Sequence, residues 1–343
     1  MATEVSSTAI PYVISSSPHI KTLESIPRIM YSVIGALVPA LIGSVYFFGY
    51  RALFLTILAV ITTVATEAII QKLRKVEITI ADGSAILTGI LLAFNIPAGV
   101  PWWIAVIGAF FAIAIGKQAF GGLGYNPFNP ALLGRAFLLA SWPVHMTTDW
   151  IAPRFGTKSG VDAITSATPL TALKEALKNV ATGENVENAR KVIEQLHGAI
   201  NNLFWGNVGG CIGETSAILL LIGAAYLLYK GYINYRIPVA FVGTVALFGW
   251  IFGGAPGHFM GDPVFHVLAG GVILGAFFMA TDMVTCPVTP LGQWLFGFGC
   301  GAITIMIRKA GGYPEGVSYS ILLMNIIVPL FDRYTKPKVF GAK

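Results

Sequence analysis

IGAFFAIAIGKQAFGG, residues Ile107 to Gly122, and FGFGCGAITIMIRKAGG, residues Phe296 to Gly312, decide how this chain folds. Each is an apolar stretch that ends in a basic residue followed by Gly-Gly. Each leads into a turn containing Tyr and Pro, at Tyr125-Asn-Pro and at Tyr313-Pro-Glu-Gly, and then into another apolar stretch. The recurrence predicts two related halves.

Outward from these two stretches, ten apolar spans are read. In the first half they are Ile29–Tyr50, Ala52–Gln71, Ser84–Pro97, Trp102–Phe120 and Phe128–Met146. In the second they are Ile212–Tyr229, Ile237–Gly254, Val264–Ala280, Leu291–Ile307 and Val317–Phe331. A helix crosses a bilayer with about 20 apolar residues. The third and eighth spans are short, and end in Asn-Ile-Pro and Thr-Asp. Five spans is an odd number, so the second half enters the membrane from the opposite side. That makes an inverted repeat with the short spans as broken helices near the midplane. The predicted class is an all-α polytopic membrane protein with about ten transmembrane helices in two inverted five-helix repeats.

Composition points the same way. Of 343 residues, 55% are hydrophobic and only 11% charged, against about 25% charged in soluble domains. Met1 to Ile26 is polar and lacks the apolar region of a cleavable signal, so insertion rests on the first span. The net charge of +6 is a topology signal more than a sign of an anionic partner. Short segments on one side hold Lys72, Arg74, Lys75, Lys117, Lys230, Arg236 and Arg333, and those on the other only Arg51, Arg308 and Lys309. This predicts cytoplasmic termini. The domains are then a cytoplasmic segment 1–28, repeats 29–146 and 207–335, an extracytoplasmic loop 147–206 and a tail 336–343.

No basic and aromatic groove pattern suggests nucleic acid. No glycine-rich nucleotide loop in the right context suggests NAD binding. Cys211, Cys286 and Cys300 form no CxxC pair, have no His at ligand spacing, and read as small buried hydrophobes. His258 and His266 show no metal constellation. Most of the tryptophans lie near span ends, where an interfacial belt explains them.

The loop carries DAITSATPLTALKEA, Asp162 to Ala176. Thr168 suits an N-cap and Pro169 the first helical position. Leu170, Leu173 and Leu177 share a face, so an amphipathic helix rests on the bundle or on a partner. A helix N-terminus also suits a phosphate, so a phosphoester on Thr168 is compatible with the cap.

Asp162, Thr165, Ser166, Ala167 and Thr168 together look like the flavinylation motif Asp-x-x-(Ser/Thr)-Gly-Ala-Thr, with Ser166 in place of Gly. Further matches are GGLGYNPFNPALLGRAF at Gly121 to Phe137, FMATDMVT at Phe278 to Thr285, Tyr313 to Gly316, and Phe331-Asp332. On these motifs the chain, after about Ile20, resembles the family of Rnf ferredoxin:NAD+ oxidoreductase D subunits and sodium-pumping quinone reductase B subunits. The short N-terminus and Ile61-Thr-Thr-Val-Ala-Thr-Glu67, which lacks Gly-Gly, favour the Rnf branch.

The resemblance implies FMN linked by its phosphate to Thr168, put there by a flavin transferase. It also implies a second, non-covalent flavin (riboflavin or FMN) in a bundle similar to that of urea channels. Implied partners are the rest of the complex, above all the G-type flavoprotein and the A-type and E-type membrane subunits. The coupling ion is Na+ or H+, and the setting is the cell (inner) membrane.

Asn126 and Asn129 are either turn caps or polar contacts to the second flavin. Arg135 needs a carboxylate or carbonyl partner, or contacts the flavin. Asp282, then Glu67, are candidates for a Na+ path. Glu67 is alternatively an interfacial residue near Lys72 and Arg74, and Glu214 a wet one. A solute channel is the rival reading, since broken inverted repeats also build channels; residues 162–168 speak against it. A purely structural anchor is a third reading, and it leaves the two Asn and the intramembrane acids unexplained.

Overall fold

The computed structural model describes residues 24–151, 153, 168–183, 185–214, 216–254, 259, 261–313 and 315–336. Asp162, Thr165, Ser166, Ala167, His258 and most of both terminal segments lie outside the described residues. The described part is all-helical, with no strand beyond one isolated backbone bridge.

Helices α1 (Ile26–Phe48) and α2 (Tyr50–Leu73) are joined by Gly49 alone, which caps both at φ 76°. Glycine reaches that left-handed φ without a Cβ penalty. The short α3 (Ser84–Phe94) stops at Asn95-Ile96-Pro97, since a residue before proline is driven out of the helical region. The first half continues with α4 (Trp102–Ala114), α5 (Pro130–Ser141) and α6 (Pro143–Thr148). Then come α7 (Pro169–Thr182), α8 (Val186–Gly198) and α9 (Ile200–Trp205). The second half holds α10 (Ala217–Lys230), α11 (Arg236–Phe252), α12 (Pro263–Leu268), α13 (Val272–Leu274), α14 (Pro290–Ala310) and α15 (Val317–Tyr334). A π-turn, Gly275–Met279, extends α13.

Three spans differ from the sequence reading. The fifth is two helices, because Pro143 opens α6 and Trp142 leaves the helical region at ψ 62°. The sixth starts only at Ala217; Cys211 to Glu214 form turns. The eighth breaks at Ala269 to Gly271, where Gly270 has φ 71°.

Among the described residues, four helical stretches are long and apolar enough to cross a membrane: Ile26–Phe48, Tyr50–Leu73, Trp102–Phe120 (α4 and the turn that follows it) and Pro290–Ala310. Large apolar side chains such as Ile42, Phe54, Ile57, Ile61 and Met306 stay exposed. An outer surface of that kind fits hydrocarbon and is far beyond the scattered apolar residues of soluble surfaces. The chain is a multi-pass membrane protein.

Packing repeats along the chain. In the first half α2 packs on α3 and α4, and α4 on α5; in the second α11 packs on α12 and α14, and α14 on α15. The halves meet through α1 against α10 and α5 against α15. Small residues allow the close approaches: a Cβ on Gly89 of α3 would lie 2.8 Å from the Val60 Cα of α2. Helix α7 rests on the bundle, burying Leu170 and Leu173 with Leu196, Leu203, Phe265 and Ala269.

Candidate functional site

Two polar regions are buried in the bundle, one beside Thr168 and one beside Asn126. Thr168 is the N-cap of α7. Its Oγ accepts from the Thr171 amide at 3.3 Å and lies 2.9 Å from the Thr171 hydroxyl. Proline at the first helical position and the apolar face of Leu170 and Leu173 make this start a local consequence of sequence.

Thr168 lines a small cavity with Gly210, Glu214, Gly270 and Glu315. Beneath it lies Arg135, on α5. One terminal nitrogen of its guanidinium donates to Asn95 Oδ1 at 2.8 Å and Ser318 Oγ at 3.0 Å, and pairs with Glu214 at 3.5 Å. The other pairs with Glu315 and lies 3.8 Å from the Cys211 sulfur. Its Nε is buried with no hydrogen-bond partner. A second guanidinium, Arg308, donates to the carbonyls of His266, Ala269 and Glu315. One buried and one half-buried carboxylate thus face two buried guanidiniums, the near-balance that makes such burial tolerable.

This region corrects two sequence readings. Glu214 is not wet: it is 9% exposed and paired with Arg135. Arg308 is not a loop charge: it is 7% exposed, with its fork spent on backbone oxygens. The ligating atoms of Cys211, Glu214 and Glu315 lie within 4.8 Å of one another, a cluster invisible to residue spacing. The guanidinium of Arg135 fills the charge role an ion would take there.

The second region is a cavity of about 770 Å³, its mouth included, between α1, α3, α5 and the π-turn. Asn126, Asn129, Lys117, Ser84, Thr281 and Asp282 contribute its polar lining. Asn129 caps α5, its Oδ1 accepting from Ala131 and Leu132, and its amide donates to the Met279 carbonyl at 3.3 Å. Asn126 donates to the Phe128 carbonyl at 3.0 Å, and its buried Oδ1 has no partner. Asp282 accepts from Thr285 Oγ at 3.1 Å and the Val284 amide at 3.4 Å.

Lys117 lies at the edge of this cavity. Its ammonium donates to both oxygens of Glu67, at 2.7 and 2.8 Å, and to Ser84 Oγ at 2.6 Å. Gln118 and Gln71 donate to the same carboxylate. Glu67 is therefore fully enclosed, with the Lys117 ammonium as its cationic partner. It is not interfacial, and Lys117, read from sequence as a loop charge, is 1% exposed.

The structure brings Asn126, Asn129 and Asp282 to one cavity and Thr168 and Arg135 to another region. Glu67 joins the first only through Lys117. Sequence reasoning missed Lys117, Asn95 and Glu315 as site residues. One signal was available: Lys117 and Arg308 each stand within four residues of the Gly-Gly that closes their quoted stretch, and both turn inward.

The family model described as "NQR2, RnfD, RnfE family" matches residues 13–341. The chain is 50% identical over 335 residues to the D subunit of the proton-translocating ferredoxin:NAD(+) oxidoreductase complex of Clostridium ljungdahlii, covering 97% of each chain. It is 51% identical to the D subunit of the Na(+)-translocating ferredoxin:NAD(+) oxidoreductase complex of Acetobacterium woodii, covering 96% of this chain and 95% of that one. It is 39% identical to the D subunit of the ion-translocating oxidoreductase complex of Salmonella paratyphi A, covering 96% and 98%. A match of this extent, joined to the buried polar regions just described, has one meaning: the chain belongs to the NQR2, RnfD, RnfE family.

Proposed function

We propose that this chain is the membrane electron-relay subunit of an ion-translocating ferredoxin:NAD+ oxidoreductase. The full-length similarity to D subunits supports the complex, and the placement of Thr168 carries the relay role. Its hydroxyl opens a helix start, where unpaired N–H groups and the dipole favour a phosphate. It stands over a cluster with two guanidiniums. These residues fit an FMN phosphoester on Thr168, attached by a flavin transferase. Asn126, with a buried acceptor lacking a partner, fits the polar edge of a second, non-covalent flavin in the cavity.

When bound, such flavins accept and release electrons. The protein orients them, sets the local charge and excludes water. Arg135 and Arg308 offset the charge of Glu214 and Glu315, the two carboxylates that line the cavity at Thr168. Met30, Leu91 and Phe278 supply apolar walls to the second cavity beside its polar lining. Asp282 offers a carboxylate at its mouth that draws in a cation when negative charge arrives. Two relatives of about equal identity are named for different ions, so the choice between Na+ and H+ rests on the transport measurement below.

The ten spans as two inverted repeats, with 1–28 and 336–343 cytoplasmic and 147–206 extracytoplasmic, belong to the same proposal. The recurring helix contacts of the two halves support it. Partners are then the G-type flavoprotein on the side of Thr168 and the A-type and E-type membrane subunits.

The test is ultraviolet fluorescence in a denaturing gel, with wild type and Thr168→Val each co-expressed with the flavin transferase. A fluorescent wild-type band that is lost in the variant is expected. A dark wild-type band overturns the relay role.

A further inference from the structure

A groove of about 1230 Å³, its mouth included, opens where α1 begins and α2 ends. It is larger than the cavity at Asn126, of about 770 Å³. Ile26, the first residue of α1, lines it, and so do Gln71 and Arg74 at the close of α2. Both helices are long and apolar enough to cross a membrane. Their ends therefore set the groove at the depth of lipid headgroups.

The lining has two kinds of chemistry. Ile26, Ile29, Met30, Leu123, Met283 and Val284 form an apolar wall. Arg74, Glu77, Thr79 and Asp82 form a charged and polar one. Arg74 is exposed. One of its terminal nitrogens donates to the Gln118 carbonyl at 2.7 Å, and among the described residues no carboxylate pairs with it. Glu77 is exposed as well, with no hydrogen bond or ion pair from its side chain among the described residues. One oxygen of Asp82 accepts from the Ser84 amide and hydroxyl at 2.7 and 2.6 Å, which leaves the other for a ligand. Lys72 and Lys75, the neighbouring lysines, do not line the groove.

These charges select among amphiphiles. An anionic headgroup satisfies Arg74 and meets Glu77 and Asp82 as like charges. A headgroup with a phosphate and a primary ammonium satisfies both signs. The guanidinium fork suits a phosphate, and the ammonium donates to the carboxylates. A quaternary ammonium has no N–H to donate.

We infer that this groove binds a phospholipid with an amine headgroup, its phosphate at Arg74, its ammonium at Glu77 and Asp82, and its acyl chains along the apolar wall. Arg74 also holds the Gln118 carbonyl, and the Gln118 amide donates to Glu67 at 3.0 Å. A bound lipid therefore braces the segment that closes over the Glu67–Lys117 pair.

Native mass spectrometry of the full chain in detergent tests this, with phosphatidylethanolamine, phosphatidylcholine and phosphatidylglycerol titrated separately. Wild type is expected to bind phosphatidylethanolamine more tightly than either of the others. Arg74→Gln is expected to weaken both phosphatidylethanolamine and phosphatidylglycerol, and Arg74→Lys to restore part of the loss. Glu77→Gln, at a side chain that no other described residue holds, leaves the fold intact. It is expected to weaken phosphatidylethanolamine by about threefold, the scale of an exposed charge pair, and to leave phosphatidylglycerol as tight or tighter. Arg333→Gln, at a cation outside the groove, leaves all three unchanged. Phosphatidylglycerol or phosphatidylcholine bound by wild type as tightly as phosphatidylethanolamine overturns the amine headgroup. Affinities unmoved by both Arg74→Gln and Glu77→Gln, or no phospholipid retained by wild type, overturn the lipid and leave the groove to a protein partner.

Discussion

The ammonium of Lys117 lies 2.7 and 2.8 Å from the two carboxylate oxygens of Glu67, and both residues are almost fully buried. The pair ties the end of α2 to the segment after α4. Removing one partner of a buried pair costs about 3–5 kcal/mol, because the other charge is stranded. Lys117→Met is therefore expected to lower thermal stability sharply in detergent. The double variant with Glu67→Gln recovers much of the loss. Additive losses in a thermal melt series would show that the pair is not coupled.

Asp282 presents its carboxylate to the cavity that also holds Asn126 and Asn129. Among the described residues it accepts from the Thr285 hydroxyl and the Val284 amide, and no cationic side chain pairs with it. Asp282→Ala is expected to abolish 22Na+ uptake, or proton uptake, by vesicles during ferredoxin-driven NAD+ reduction, with flavin content retained. Uptake at the wild-type rate would remove Asp282 from the ion path.

Gly89 lets α3 lie on α2. A Cβ there would approach Thr63 Oγ to 2.7 Å and the Val60 Cα to 2.8 Å. The second contact is backbone and does not yield by rotating a side chain. Gly89→Leu is expected to destabilise by about 1–3 kcal/mol or more, read as a loss of monodisperse protein on size exclusion. Gly122→Ala, with no heavy atom near its would-be Cβ but φ 108°, tests backbone strain separately from crowding.

Thr168 also acts as a cap. Thr168→Ser keeps the hydroxyl and so is expected to leave the stability of α7 unchanged. Thr168→Ala is expected to cost about 1 kcal/mol at that helix start. Hydrogen exchange of the Thr171 amide reads this directly, because that amide loses its acceptor only in the alanine variant.

Sequence carried the local features well. Thr168-Pro169 and Asn129-Pro130 announce their helices, because cap chemistry is settled within a few residues. The long apolar helices were legible too, whereas the fifth, sixth and eighth spans broke or began elsewhere than the apolar pattern suggested. What escaped was everything fixed by distant contacts. Arg135 meets Glu315, a residue 180 positions away, and no spacing rule reaches that far. Lys117 and Arg308 looked like loop charges because each stands at the end of an apolar span, just before a Gly-Gly turn; only the fold turns them inward. The break at Trp142 was hidden because the apolar pattern runs on through Pro143, although the helix does not. The flavinylation motif was read by resemblance, and its first residues, 162–167, lie outside the described residues.

The broken ends also meet. After α3 ends, the Ile212 amide donates to the Ile96 carbonyl and the Gly213 amide to the Phe94 carbonyl, both at 3.0 Å, and Pro97 bridges Cys211. These backbone bonds join the first half of the chain to the second at the depth of the Arg135 cluster. These bonds oppose a swing of the two halves past each other like the arms of a rocking carrier. Under the proposed function, ion passage would then fall to small parts: a carboxylate that turns, a loop that gives way, or a cofactor that shifts on its tether.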